Sequence, residues 1–562
     1  MPSVRHRLPP TVTACLSAAL LGPATVHAQY DTPPPPAAYA IQNVTLVGAD
    51  GSRQPGMTIV IRGAFIEGLG RELPVPADAE VLEGDSLFVY PGMVDAQSGA
   101  KLALPEPEID RQELEPWNPP RDVQGFTPHR LAAAYLSATG GELAKERAAG
   151  VVAGALLPDG PVMPGRAAAL LYRADAEAPM QLVVHPELGP VFSLRGARGV
   201  YPSSLFAAVA FVRQSFENAR HEGAVIAAHQ RDPKGLEIPA WDPDHAVLRA
   251  VLAGELPAYF AVDRAEEIRT VLALSEEYGF APVIVGGDEA WQVADRLRER
   301  RIPVLVSLDF PTPKRWKPAR TRDTTEAAPT EPADPAVERE REQMEKLYAN
   351  AGRLAAAGVT VALTSGGGKA DLREGARKAI EYGLDTTAAL QALTSVPAGL
   401  LDMPVLGRIE AGLPATLVVA TGELFDEGTQ IAYTFVNGGM EPGKPKKVGG
   451  GEAPTVDVSG VWSLSIEAGG QRMGGRMTLT QTEAEFSGTL DLAEMGQLQI
   501  TGGTVSGTDI TFTLVIRMGG EVVEADARGT VEGDEASGTG GGPMGDFTWE
   551  ATRIETPGRS LR

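Results

Sequence analysis

Between about residues 93 and 403, short apolar strands alternate with amphipathic helices along the chain. The runs at 281–285, 303–306 and 359–363 are rich in Val, Ile and Leu, and segments such as 289–300 carry apolar residues at helical spacing. This alternation is typical of βα units around a parallel sheet. Its extent predicts an α/β fold in which the units close into a (β/α)8 TIM-like barrel, with the functional site at the carboxyl ends of the strands.

Short strands without intervening helices flank this region on both sides. Residues 39–92 read as a β-meander, and residues 404–440 return to the same pattern, so we expect the two flanks to pair in one composite β-sandwich domain. A Gly/Pro/Lys linker at 441–455 precedes the strands of 456–562, which predict an all-β, barrel-like C-terminal domain. We expect Trp462 and Trp549 to fill its core.

The first residues predict export. A basic start at 5–7 precedes an apolar run at 11–22 and the small-x-small sequence Val26-His27-Ala28, as in a signal peptide over 1–28. A Pro-rich linker follows at 29–38, and the mature chain is expected to be periplasmic or extracellular. Cys15 lies within the signal and is the chain's one cysteine, so the exported chain has no disulfide and no thiolate metal ligand. A lipoprotein box at 12–15 is the alternative interpretation.

The charge of the chain argues against binding of nucleic acid, and its hydropathy argues against a membrane-spanning segment. Its 562 residues carry a net charge of −23, whereas a nucleic-acid-binding protein needs a basic surface to neutralise phosphates. No segment beyond the signal is long and apolar enough to predict a membrane span. The expected partner is therefore a small molecule or a peptide.

Several motifs resemble those of one enzyme family. The strand Pro91-Gly92-Met93-Val94-Asp95 resembles the first barrel strand of the amidohydrolase superfamily, and 407–419 resembles that superfamily's closing segment. Residues 150–152 and 163–166 resemble the imidazolonepropionase-like branch. The resemblance covers about residues 39–440 and implies a hydrolase of C–N bonds that uses zinc or another divalent metal.

The same resemblance indicates which residues would hold that metal. In the family, two histidines follow the first strand, one follows the fifth, one follows the sixth, and an aspartate follows the last. A divalent ion needs several such ligands to compete with water. The corresponding positions here lack such side chains and are Gln97, Gly99, Ala261, Gly286 and Gly366. We therefore expect neither a hydrolytic metal nor any other cofactor.

Other residues at the expected strand ends are candidates for binding a ligand. Asp263, Asp288 and Asp309 follow predicted strands, so they are candidates for contacting a cation or a polar ligand, or alternatively for capping the helices that follow. The glycine runs 286–287 and 366–368 would either cradle an anion with their N–H groups or form ordinary turns. The five histidines beyond the signal are expected to be solvated or part of the core: His129, His185, His221, His229 and His245.

Two classes of function follow from these observations. The first is an exported amidohydrolase-like pseudoenzyme that binds a ligand or a partner. The alternative is an active hydrolase of peptide or non-peptide C–N bonds with an unconventional site. In a third hypothesis, the chain is a scaffold subunit for a catalytically intact paralogue.

Overall fold

The computed structural model describes most of the chain from residue 38 onwards. The described ranges are 38–107, 114–235, 237–238, 240–314, 334–443, 455–468, 471–482, 485–492, 496–518, 521–542 and 545–555. The predicted signal peptide and almost all of the Pro-rich linker lie outside these ranges. The predicted domain boundaries stay a prediction.

The described residues contain three β-sheets. Their strands, in chain order, are β1 Ala38–Val47, β2 Arg53–Arg62, β3 Phe65–Gly70, β4 Ala79–Glu83, β5 Phe88–Pro91, β6 Met93–Asp95, β7 Val151–Leu156, β8 Val162–Leu171, β9 Val183–Ser193, β10 Ala258–Val262, β11 Pro282–Gly286, β12 Val304–Ser307, β13 Val361–Thr364, β14 Leu417–Ala420, β15 Ile431–Val436, β16 Gly439–Pro442, β17 Gly460–Ala468, β18 Gln471–Thr482, β19 Glu485–Leu492, β20 Gly496–Ser506, β21 Asp509–Met518, β22 Glu521–Glu532, β23 Glu535–Gly542 and β24 Gly545–Glu555.

Most of the helices lie between strands of the central region. They are α1 Arg121–Gln124, α2 Ala144–Ala148, α3 Leu205–Arg231, α4 Pro243–Leu252, α5 Ala265–Tyr278, α6 Ala294–Glu299, α7 Pro335–Tyr348, α8 Asn350–Ala356, α9 Leu372–Glu381, α10 Thr386–Leu393 and α11 Ser395–Leu400. Short 3-10 turns occupy Ala132–Tyr135, Gly141–Leu143, Pro179–Leu182 and Ala290–Val293. None of the helices in the described ranges combines the length and the apolarity that crossing a bilayer would need.

The central sheet has eight strands in the order β6 to β13, which is the order of the chain. The strands from β9 to β13 pair in parallel, and so do β6 and β7. β8 instead runs antiparallel to both β7 and β9. A parallel connection requires a crossover of about a dozen residues or more. Only residues 157–161 separate β7 from β8, which suffices for a hairpin.

The sheet therefore departs from the predicted (β/α)8 layout. Periodicity distinguishes strands from helices, but it does not indicate the direction of a strand. The sequence pattern of β8 therefore fits a parallel strand and an antiparallel strand equally well. The seven other strands of this sheet share one direction, and their carboxyl ends meet at one edge. This arrangement keeps a common site-forming end despite the reversed strand.

Helix α5 shows how the sequence forms the outer layer of this region. Its buried residues recur at helical spacing and include Ile268, Val271, Leu272 and Ser275, so one face packs inwards. The helix ends at Gly279, whose φ of 81° is the left-handed conformation that glycine adopts most readily. The chain can then enter β11 directly.

A second sheet joins strands from both ends of the central region. Its order is β16-β15-β14-β5-β1-β2-β3, with β4 also paired to β1. The link between the flanks is the antiparallel pair β5–β14, in which Pro91 lies opposite Leu417. β5 leads through Gly92 into β6, so this sheet anchors the start of the first central strand. The predicted sandwich is hydrogen-bonded as one sheet.

The C-terminal strands form a closed antiparallel barrel. Each strand from β17 to β24 pairs with the next, and β24 pairs with β17. Trp462 and Trp549 are 1% and 2% exposed, and Phe512 packs edge-on against Trp549 with 5.6 Å between ring centroids. The Trp462 Nε1–H donates to the carbonyl of Val458 at 2.9 Å. Both indoles thus belong to the barrel core, as the sequence predicted.

Removing the buried indole of Trp462 should destabilise the C-terminal barrel. We expect Trp462→Ala to lower its free energy of unfolding by about 3–5 kcal/mol, because the substitution leaves a large cavity. Calorimetry of the full chain would measure the transition. Trp117→Ala is the matched control, since Trp117 is 73% exposed. Equal melting of the two variants would contradict the assignment of Trp462 to the core.

Candidate functional site

A cavity of about 840 Å³ opens at the carboxyl ends of the central strands. Its wall contains Gln97, Gly99, Ala261 and Gly286, four of the five positions where the family resemblance implies metal ligands. The fifth, Gly366, precedes the lining residue Gly367. The three candidate aspartates lie on the same wall: Asp263, Asp288 and Asp309. The structure thus brings together the residues that the sequence singled out.

A side-chain interaction joins the two end strands of the central sheet. Asp95 ends β6, and its carboxylate accepts hydrogen bonds from the backbone N–H of Ser365 (3.0 Å) and from the Ser365 hydroxyl (2.5 Å). Ser365 follows β13 directly. The N–H of Gly367 also donates to the carbonyl of Gln97 at 3.1 Å. These bonds close the barrel-like sheet where no strand pairing links β6 to β13 in the described residues.

We refer to this contact between residues 95–97 and 365–367 as the seam. The Asp95 carboxyl group is buried in it. Burial raises its pKa to about 6, although the hydrogen bonds from Ser365 and Gln97 favour the ionised form, and the charge of Glu146 raises it further. Below the cavity floor, the Tyr172 hydroxyl donates to Ser98 Oγ at 2.6 Å, and burial raises the pKa of Tyr172 as well. Asp95 and Tyr172 therefore belong to a buried polar layer under the cavity.

Two of the glycines have close neighbours where a side chain would begin. A Cβ on Gly99 would lie 2.7 Å from the Cα of Gly368, so a histidine there requires movement of the backbone. A Cβ on Gly286 would lie 2.1 Å from Asp263 Oδ1, so a histidine there requires movement of the Asp263 side chain. Gly286 also has a φ of +90°, a conformation that is strained for a residue with a side chain.

The glycines 366–368 form a turn with internal hydrogen bonds. All three have positive φ, between 67° and 83°. The N–H of Gly366 donates to Thr364 Oγ1, that of Gly367 to the carbonyl of Gln97, and that of Gly368 to Ser365 Oγ. Each N–H already has an acceptor, so of the two roles considered for this run the structure favours the turn over the anion cradle. The turn braces the seam.

The second glycine run is also a turn. The N–H of Gly287 donates to the carbonyl of Val262 at 2.9 Å, so it does not face a ligand as an anion cradle would require. A Cβ on Gly287 would lie 2.9 Å from a methyl group of Val304, and its φ is +65°. Glycine is needed here for the tight approach of two strands.

The three aspartates follow three neighbouring parallel strands, β10, β11 and β12. Burial raises the pKa of Asp288 to about 6, and the charges of Asp263 and Asp309 raise it further. Burial and then Glu267 raise the pKa of Asp263, whereas Arg195 and Lys369 oppose that change. The carboxylates thus lie close enough to repel one another.

The alternative role for these aspartates, helix capping, falls to other residues. At the start of α5, Glu267 accepts hydrogen bonds from the N–H groups of Asp263 and Arg264, and Glu289 accepts one from Ala265. The glutamates therefore satisfy the free N–H groups of this helix. The carboxylates of Asp263 and Asp288 remain at the cavity wall.

The cavity wall also contains five leucines, which the sequence reasoning did not identify. They lie at the end of β7 and in the chain that follows β6, β7 and β9, and Asp159 and Arg195 line the wall beside them. No local sequence signal marked these leucines as part of a site. The five are Leu102, Leu104, Leu156, Leu157 and Leu194.

These residues do not fit a hydrolytic divalent metal. In the described ranges, no three His, Cys, Asp or Glu side chains converge as ligands would. Two of the histidines pair with acids elsewhere: His129 Nδ1 lies 2.5 Å from Asp244, and His245 Nδ1 lies 2.6 Å from Glu222. Neither lines the cavity. The Gly368 backbone obstructs a side chain at residue 99, and the Asp263 carboxylate and a positive φ disfavour one at residue 286.

Known structures share this fold. An amidohydrolase from Thermotoga maritima aligns at 23% identity over 72% of this chain and 99% of its own, with a TM-score of 0.55. Two other structures align less well. An adenosine deaminase from Xanthomonas campestris with bound zinc is 14% identical over 73% of this chain and 93% of its own, with a TM-score of 0.41. A. niger ochratoxinase is 14% identical over 73% of this chain and 96% of its own, with a TM-score of 0.39. No protein-family profile and no curated protein matches the chain. The chain therefore has an amidohydrolase fold.

The buried carboxyl group in the seam predicts a pH dependence of stability. The folded-state pKa of Asp95, about 6, exceeds the ordinary value of 3.8, so its contribution to stability is present below pH 3.8 and lost as pH rises through 6. Asp95→Asn keeps hydrogen-bonding atoms but does not ionise. From pH 4 to 7, its free energy of unfolding should rise by about 2.4 kcal/mol relative to the wild type.

Urea unfolding at several pH values would measure this difference. Asp295→Asn is the matched control, because the Asp295 side chain is 86% exposed. A constant difference between Asp95→Asn and wild type across pH 4 to 7 would contradict the burial of a titrating carboxyl group in the seam.

Proposed function

We propose that this chain is an exported protein of the amidohydrolase superfamily, in its imidazolonepropionase-like branch, that binds a small ligand without hydrolysing it through a metal. The ligand occupies the cavity at the carboxyl ends of the central strands. The amidohydrolase fold supports the superfamily assignment, and the motifs around residues 91–95, 150–166 and 407–419 support the branch. The basic and apolar N-terminal sequence supports export.

One observation carries the proposal that the metal site is lost. At positions 99 and 286, where the family places imidazoles, the space beside the Cα is taken by the Gly368 backbone and the Asp263 carboxylate. At residue 99 neighbouring backbone occupies the space that a ligand side chain would need, and at residue 286 the Asp263 side chain does so. These two positions of the wall are therefore shaped around residues other than metal ligands.

The cavity supports a binding role because it retains size and chemistry. Its volume of about 840 Å³ is within the range of small-molecule sites. Both charged and apolar side chains line it, and the half-buried Gln97 is part of its wall. The Asp95–Ser365 seam holds this wall in place from below.

Metal analysis tests the proposal against the alternative of an active hydrolase. The purified full chain, dialysed against zinc and then against metal-free buffer, should retain far less than one zinc per chain. A chelator should leave its melting temperature unchanged, because no metal contributes to folding. One zinc per chain, together with hydrolysis of amides that stops when a chelator is added, would establish the alternative.

A further inference from the structure

We propose that the loop between β7 and β8 is a movable strap at the mouth of the cavity, held in a strained position by Val162 and able to swing to a relaxed one. The strap consists of residues 157–162, and its Leu157 and Asp159 line the cavity. Its motion would control access to the cavity, so the inference rests on the proposed ligand-binding function. A strained backbone at the rim carries it.

Val162 has a backbone conformation that its side chain disfavours. Its φ is +56°, in the left-handed region, where Cβ crowds the following carbonyl oxygen and a branched side chain adds to the crowding. The other non-glycine residues with positive φ in the described ranges are two asparagines, a serine, an aspartate and an arginine, none of them branched at Cβ. Such strain persists only where the surrounding structure imposes it, and it is concentrated at ligand clamps and switch regions.

Packing on the side of the sheet imposes this conformation. The Val162 side chain is fully buried in the core, and Val162 lies opposite Ser193 of β9. The register between β8 and β9 shifts before Gly165, so Val162 stands at the edge of a bulge. Bulges recur at barrel rims and next to active sites, where they redirect the chain. The strap therefore enters the sheet through a strained bulge.

The strap itself is loosely held. In the described chain, the N–H groups of Leu157, Asp159 and Gly160 make no hydrogen bond, and the N–H of Val162 reaches the carbonyl of Arg195 only at 3.4 Å. Asp159 pairs with Arg195, but their side chains are 82% and 63% exposed, and exposed ion pairs contribute little. Release of the strain is therefore opposed mainly by the burial of Val162.

Two prolines stiffen the strap. The rings of Pro158 and Pro161 fix φ, and the residue before each proline is restricted as well. The change in backbone is therefore concentrated at Val162, where the strain is released, and at Asp159. Because Asp159 lines the cavity, the wall changes as the strap swings.

Hydrogen exchange of the full chain, measured by mass spectrometry, tests the motion without a ligand. The Met163 amide donates to the carbonyl of Gly125 at 3.0 Å, and the Ile284 amide donates to the carbonyl of Pro303 at 3.0 Å. Both residues are fully buried. We expect the Met163 amide to exchange at least about tenfold faster, through local opening of the strap. Equal protection of the two amides would overturn the inference.

A pair of substitutions tests whether strain at Val162 drives this opening. Val162→Gly and Val162→Ala both remove the branched side chain, but only glycine adopts a positive φ without strain. Opening at Met163 should be slower in the glycine variant than in the alanine variant by about 5- to 30-fold. Val152 on β7 is the control position, because it is also fully buried and its φ is not positive. There the alanine variant should be the better protected. The same order of protection at both positions would overturn the inference.

The outcomes separate this inference from the proposed function. A Met163 amide as well protected as that of Ile284 refutes the strap and leaves the loss of the metal site to be decided by the metal analysis. Stoichiometric zinc with chelator-sensitive hydrolysis refutes the proposed function, whereas the motion of the strap is still decided by exchange alone.

Discussion

The hydrogen bonds between Asp95 and Ser365 are the interaction on which the central region depends. They connect residues 270 positions apart in the sequence and join the first strand of the sheet to its last. A sheet of eight strands without such a link would leave two edges open, and exposed edges pair with other chains. Because Ser365 also accepts a hydrogen bond from Gly368, the same contact holds the glycine turn that forms part of the cavity wall.

The cavity wall is consequently made by backbone as much as by side chains. Gly99 and Gly368 approach each other closely, and Gly286 leaves space that the Asp263 carboxylate takes. Gly99 and Gly286 occupy positions where the resembled family has histidine, and in the structure both are points of close contact. A site walled in this way has room for a ligand, whereas an imidazole at residue 99 would need the Gly368 backbone to move.

Sequence reasoning anticipated the elements better than their connections. Apolar spacing in the sequence predicts helices over 205–222, 265–278 and 338–356. The first two begin where predicted, as α3 and α5, because apolar spacing indicates which face is buried, although α3 continues to Arg231. The third is two helices, α7 and α8, which are separated at Ala349. The reversed direction of β8 was not foreseen, since an apolar run buried on both faces reads the same in either direction.

The candidate site was predictable in part for similar reasons. Asp263, Asp288 and Asp309 were identified because they follow predicted strands, and a parallel sheet brings such positions to one edge. The mutual repulsion of these carboxylates, the leucines of the cavity wall and the contact of Ser365 with Asp95 depend on distances in space. No local pattern contains them, and the glycine turns were ambiguous until the acceptors of their N–H groups were known.

The close approach of Gly99 to Gly368 has a consequence for how this chain can evolve. Any residue larger than glycine at either place must displace the other strand end before its side chain reaches the cavity. A variant at residue 99 therefore cannot change the lining of the cavity without also loosening the closure of the sheet. Variation at these two glycines is constrained by the fold, whichever ligand the cavity binds.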